Sequence, residues 1–146
     1  MDVKSYLTYP AIFKKEANGL YDVAVKYKGG EWHTCGSNYE EAYKMAQDLI
    51  IDASIFNFGD NLEMPESAIA QETDTIINIG LDSALKIMLR NALVKSKVKN
   101  CDLAKQLKIS PPALAQYMRY GKSSKLEILA EAFKILGYPL NITCAN

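Results

Sequence analysis

Histidine is almost missing from this chain of 146 residues: there is one, His33, together with one tryptophan and only three cysteines. Cys35, Cys101 and Cys144 are widely spaced, odd in number, and form no Cys-x-x-Cys pair. A structural zinc site takes four ligands, and His33 with Cys35 supplies two, so neither metal nor any other cofactor is expected. The thiols read as reduced cysteines of a cytoplasmic protein. Catalytic constellations are equally thin. Cys35 and His33 lack an orienting third group, and the hairpin offers only Glu16 and Asp22 where a two-metal nuclease needs several converging carboxylates. No catalytic residue is assigned, and no enzyme is expected. No apolar run approaches the about 20 residues that span a bilayer, and the first residues do not read as a signal peptide, so no membrane role is expected. With 49% hydrophobic and 23% charged residues, the composition is that of a globular protein rather than a disordered one.

Net charge is also absent, but only in the sum. Residues 1–79 hold 6 Lys/Arg against 13 Asp/Glu, a net of −7, and residues 80–146 hold 11 against 4, a net of +7. Such a split implies two modules with different partners, and the basic one suits a polyanion. The expected division is residues 1–80, with 60–74 as an irregular acidic linker or crossover, and residues 81–146.

The acidic half reads as a small sheet with one helix. The first residues lead into a strand over Leu7–Phe13 with apolar odd positions, and Pro10 predicts an edge or a bulge there. Asn18-Gly19 predicts a hairpin turn. The return strand alternates Tyr21, Val23, Val25 and Tyr27 against Asp22, Lys26 and Lys28, and Gly29-Gly30 leads to a short strand from Trp32 to Cys35. The stripe Tyr9, Phe13, Tyr21 and Tyr27 suggests core rather than a stacking platform for RNA. Ser37 and Glu40 predict a capping box opening a helix. Its stripe runs through Tyr39, Ala42, Tyr43, Ala46, Leu49, Ile50, Ala53 and Phe56 to an end near Gly59. Thr75 to Ile79 reads as a strand returning to the sheet.

The basic half is helical in pattern. The first stripe is Leu81, Ala84, Leu85, Met88, Leu89, Ala92 and Leu93. A short helix starts with Asn100 as its N-cap, a third with Ser110 and Pro111, and a fourth with a Ser124–Glu127 capping box, ending at Gly137. Tyr138 to Cys144 alternates and predicts a final strand, whose free edge suits a dimer contact.

Residues 100–119, Asn-Cys-Asp-Leu-Ala-Lys-Gln-Leu-Lys-Ile-Ser-Pro-Pro-Ala-Leu-Ala-Gln-Tyr-Met-Arg, carry the chemistry. Ala104 is small where two helices would cross, and Leu103, Leu107, Ile109, Leu114 and Tyr117 would fill their joint core. This segment resembles the helix-turn-helix of phage-repressor-like (XRE/Cro) proteins. The resemblance implies that Ser110, Pro111, Pro112, Ala115, Gln116 and Arg119 face the major groove and that Asn100 meets a phosphate. Gln116 suits adenine, and Arg119 suits guanine or a phosphate. Lys95, Lys97, Lys99, Lys105, Lys108 and Lys122 surround the unit and suit phosphate contacts. Lys108 stands at the usual glycine of the turn, implying strain or an altered turn. Pro111 and Pro112 cannot hydrogen-bond bases, which gives shape readout more weight.

Tyr9-Pro10-Ala11-Ile12-Phe13, the Asn18-Gly19 hairpin and Thr34-Cys35-Gly36-Ser37 before a Glu-Glu-Ala helix resemble the N-terminal domain of HicB antitoxins. Lys26 to Trp32 departs from the acidic Asp-x-Pro-Gly-type turn usual there. The resemblance implies an α+β chain: a degenerate ribonuclease H-like α/β domain, then an all-α helix-turn-helix domain with a C-terminal strand. It further implies a repressor-antitoxin that binds operator DNA as a homodimer or homotetramer and neutralises a small basic HicA-like ribonuclease toxin. The alternatives are an orphan regulator without a toxin, and a protein-interaction module whose basic half serves assembly only.

Overall fold

The computed structural model describes residues 1–145, and among these it contains a four-stranded antiparallel sheet and six helices. A short helix α1 (Lys4–Leu7) precedes β1 (Thr8–Lys15), where the sequence suggested a strand from the outset. β2 (Tyr21–Tyr27) and β3 (Gly30–Gly36) follow as a meander, the latter longer than Trp32 to Cys35. Gly19 alone takes positive φ in the first hairpin, and its N–H donates to Glu16 C=O at 3.0 Å, so Asn18 contributes no left-handed residue. α2 (Tyr39–Gly59) crosses one face of the sheet, and β4 (Thr75–Asn78) returns to pair with β1. The strand order is β3-β2-β1-β4.

β1 is therefore an interior strand despite Pro10, contrary to the edge or bulge that proline suggested. The ladder accommodates it. Ile79 N–H donates to Leu7 C=O, so by antiparallel alternation the bonded positions toward β4 are Leu7, Tyr9 and Ala11. Pro10 turns its missing donor toward β2, where pairing begins only at Ala11 with Val25. Beyond that point β2 bonds elsewhere: Lys28 N–H donates to Glu66 C=O, and Ala68 N–H to Lys26 C=O.

The face carrying Tyr9, Ala11, Val23, Val25 and Ile77 packs against Ala42, Ala46 and Ile50 of α2. Tyr9 is fully buried, Phe13 lies 5.0 Å from Tyr39, and Tyr27 lies 4.2 Å from Trp32, centroid to centroid. These aromatics are core and rim of the N-terminal layer. The ends of the α2 stripe depart from expectation, with Tyr39 exposed and Phe56 69% exposed, because the sheet is shorter than the helix. The opening cap of α2 falls one residue later than the Ser37–Glu40 box. Asn38, extended at φ −149°, accepts from Glu41 N–H at 2.9 Å, and the Glu41 carboxylate accepts from Ser37 N–H and Oγ. On the outer edge of β4, Tyr43 Oη donates to Ile76 C=O and accepts from Asn78 N–H, while Gln47 donates to Asn78 C=O.

Residues 60–74 form an irregular crossover that is pinned rather than a free linker. Asn91 accepts from Met64 N–H at 2.7 Å and donates to Met64 C=O at 3.1 Å, satisfying both backbone groups of one buried residue. Tyr9 Oη donates to Pro65 C=O, and Lys26 Nζ lies 2.7 Å from Asp74. Lys26, with Gln71 N–H, holds the Asp74 carboxyl below the usual carboxylate range. A depressed folded-state pKa stabilises the fold above the unfolded value of about 4, and that contribution vanishes as pH falls through the folded value. Asp74→Asn is thus expected to melt lower than the unsubstituted protein at pH 7. The gap should close as pH drops below about 4, in melts read by circular dichroism. A gap that stays constant through the acid range would contradict the ion pair.

α3 (Leu81–Ser96), α4 (Asn100–Gln106), α5 (Pro111–Met118) and α6 (Leu126–Ile135) make up the rest. α3 packs against α1, α2 and α6, and its Ile87, Leu89 and Ala92 are fully buried. α6 ends in a Schellman motif: Tyr138 N–H donates to Phe133 C=O and Gly137 N–H to Lys134 C=O, with Gly137 at φ +87°. Two local expectations fail here. The Ser124–Glu127 capping box does not form, because Ser124 Oγ donates to Tyr117 C=O at 2.7 Å and closes the end of α5 instead. Tyr138 to Cys144 forms no strand and joins no ladder, since alternation makes a strand only where a neighbouring strand takes the hydrogen bonds.

Candidate nucleic-acid interface

Two short helices and the turn between them build the site. α4 begins at Asn100, with Lys99 at the cap and no side-chain cap, so Asn100 lies inside the helix and leaves its amide exposed. Leu103 and Ala104 are fully buried, and α4 packs on α5 and α6 through this face. α4 ends in a second Schellman motif, with Lys108 N–H donating to Lys105 C=O and Ile109 N–H to Ala104 C=O. Lys108 occupies its left-handed position at φ +58°. The usual turn shape is thus kept with a lysine where glycine is most at ease, at a strain of about 1 kcal/mol. Lys108→Gly is expected to stabilise the fold by about 1 kcal/mol in urea unfolding. No gain would mean that the side chain contributes a compensating contact.

Ser110 sits at φ −74°, ψ 152°, and its Oγ accepts from Ala113 N–H at 3.2 Å, with Pro111 at the first helical position. Leu114 and Met118 are buried against α4 and the core, and Tyr117 is half-buried. Pro111, Pro112, Ala115, Gln116 and Arg119 are all exposed. Their spacing of three and four puts them on one side of α5 and its C-terminal cap, opposite Leu114 and Met118. Asn100, Lys99, Lys105, Lys108 and Lys122 are exposed as well, as are Lys95 and Lys97 at the end of α3. The sequence-derived residues are therefore all exposed to solvent, and those of α5 and its cap lie on one side of that helix. Ser110 is the exception in role, because its hydroxyl is engaged as a cap.

Sequence reasoning missed a buried partner of two of these residues. Lys86 in α3 is fully buried. Its ammonium lies 2.7 Å from the Asp82 carboxylate and donates to Arg119 C=O at 2.6 Å and to Lys122 C=O. Beside it, the Arg90 guanidinium stands 4.4 Å from the Tyr120 ring and 5.6 Å from Phe58 of α2. Tyr120 Oη shares a 2.6 Å hydrogen bond with Ser54 Oγ of α2. Burial raises the Tyr120 phenol above its usual value, so it remains a hydroxyl at neutral pH. The one local signal was the Asp82–Lys86 spacing of four on a helix.

The residues weighed for catalysis lie elsewhere. His33 and Cys35 are exposed on β3, with His33 Nε2 3.5 Å from Glu31, and Asp22 is exposed opposite Lys14. Among the described residues no cluster of three or more His, Cys, Asp or Glu is placed to hold a metal, and no helix is long and apolar enough to cross a membrane.

No protein-family model matches the chain. Its similarity to individual proteins is extensive. It is 28% identical over 137 residues to "Antitoxin HicB 2" of Photorhabdus laumondii, covering 93% of this chain and 95% of the relative. "Antitoxin HicB" of Escherichia coli K12 is 27% identical over 109 residues, 75% of this chain and 79% of that protein. "Antitoxin HicB" of Pseudomonas fluorescens is 30% identical over 108 residues, 73% of this chain and 74% of its own length. With that identity sustained across about three quarters of both chains, the protein belongs to the HicB antitoxin family.

Proposed function

We propose that this protein is a DNA-binding repressor and the antitoxin of a HicA–HicB type toxin–antitoxin pair, neutralising a small ribonuclease toxin and autoregulating its operon. The observation that carries the DNA-binding part is the α4–α5 pair. Its Schellman turn and serine cap support a helix-turn-helix reading, as do the exposed outer side of α5 and the exposed lysines that precede and follow it in the chain. In this reading residues 81–146 are an XRE/Cro-like DNA-binding and dimerisation domain, and residues 1–80 are a HicB-like, degenerate ribonuclease H-like domain that meets the toxin. Gln116 and Arg119 supply direct contacts to bases or phosphate, and the exposed lysines supply the salt-sensitive phosphate contacts. Pro111 and Pro112 at the start of α5 give shape complementarity without hydrogen bonds. The acidic N-terminal half suits a basic toxin by charge. Neither half needs a catalytic group, and the protein acts by binding alone.

Fluorescence anisotropy on the DNA upstream of its own gene, against a scrambled duplex at two salt concentrations, tests the repressor half. Selective binding that weakens with salt is the expected result, and equal binding to both duplexes would refute sequence-specific repression. Co-purification with the product of a neighbouring small gene, and loss of its ribonuclease activity on mixing, tests the antitoxin half.

A further inference from the structure

We propose that Lys86, assisted by Tyr120, is a positioning residue for DNA contact, holding the backbone of residues 119–122 so that Arg119 and Lys122 point at the nucleic acid; this rests on the DNA-binding reading above. A lysine with no exposed surface is costly to bury unless all its ammonium donors are matched. Here all three are: by the Asp82 carboxylate, Arg119 C=O and Lys122 C=O. Two of these acceptors are main-chain atoms of residues that are themselves exposed.

The segment alternates accordingly. The carbonyls of Arg119 and Lys122 turn inward to Lys86, the Tyr120 side chain turns inward to Arg90 and Ser54, and Gly121 at φ +83° lets the chain reverse between them. Asp82 also accepts from Ser124 N–H at 3.3 Å, joining the start of the next helix to the same charge. An apolar residue at position 86 would fill the space but leave both carbonyls without their donor. The loop is thus clamped by α3 on one side and by Ser54 of α2 on the other. The acidic half of the chain therefore helps to shape the surface of the basic half.

The test compares full-length Lys86→Met, Arg119→Ala and the double variant by anisotropy on a labelled duplex from the upstream region, over a salt series, with circular dichroism to confirm folding. Lys86→Met is expected to bind about tenfold more weakly and to lower the slope of log affinity against log salt by about 1 to 2, as lost phosphate contacts do. The double variant should be scarcely weaker than Lys86→Met, because the contact made by Arg119 is already lost. Wild-type affinity in Lys86→Met, an unchanged salt slope, or fully additive losses would each overturn the proposal. If Arg119→Ala alone binds DNA like the unsubstituted protein, Arg119 makes no contact to position and the proposal falls while DNA binding stands; if the unsubstituted protein itself does not bind the duplex, the DNA-binding reading falls, and the positioning role with it. Should Lys86→Met fail to fold, Tyr120→Phe serves in its place. It keeps the ring under Arg90 and removes the bond to Ser54, and a loss of about threefold in affinity supports the proposal while wild-type affinity overturns it.

Discussion

Alanine at both Gln116 and Arg119 is expected to weaken binding to the protein's own upstream DNA by about 30- to 1,000-fold while leaving capture of a toxin unchanged. Both side chains project from the outer side of α5 and its cap and have no part in the core. Exposed substitutions of this kind usually move stability by no more than about 0.5 kcal/mol, so a folding defect should not confuse the result. One bidentate base contact is worth about 1–3 kcal/mol, and a phosphate contact adds to it, which gives the stated range. Affinity is read by anisotropy, and toxin capture by protection of an RNA substrate in the same preparation. Undiminished DNA binding with the double substitution would move the interface off α5 altogether.

The second large effect concerns the fold. Gly36 is the last residue of β3 and is buried against the first turns of α2. A Cβ at this position would lie 2.6 Å from Ala42 Cα and 2.9 Å from Ala42 Cβ, contacts that only a shift of the helix backbone could relieve. Gly36→Val is expected to destabilise the protein by more than about 3 kcal/mol in urea unfolding, since overpacking against backbone has no rotamer to escape into. Gly29→Ala is the internal contrast. Gly29 takes φ +111° with open space around it, so only backbone strain of about 1 kcal/mol applies. Comparable losses in the two variants would show that strand–helix contact at Gly36 is looser than its geometry indicates.

Legibility from sequence followed the range of the interaction. Ser110 with Pro111, and Gly137 at the end of α6, act on the residues beside them, so their roles were readable and are present in the structure. The alternation in β2 and the return of Thr75–Asn78 to the sheet were readable for the same reason, each being written in consecutive residues. Where two neighbours could serve equally, local reasoning chose wrongly. Ser37 and Asn38 both suit an N-cap, and Asn38 is the one that caps, with Ser37 bonded to the same Glu41. Pro10 misled because the N–H it lacks would matter only on the side facing β2, and the strand order is set by residues far along the chain.

The exposed side of α5 followed from helical spacing, whereas the buried contacts of Lys86 did not. Lys86 is a lysine on a helix, where a solvated side chain is the ordinary expectation. Its burial depends on carbonyls 33 and 36 residues away. The tail from Tyr138 to Cys144 shows the converse, a strand pattern without a strand partner.

The hydrogen bonds from Tyr43 and Gln47 to Ile76 and Asn78 have a bearing on how such chains can meet. A sheet open at both margins can polymerise without end, each new copy offering a fresh margin to the next. Here the β4 margin is already occupied by side chains of its own helix, which leaves β3 as the margin available for backbone pairing. Joining through β3 would use up that margin on both copies at once, so growth by this route would stop at two.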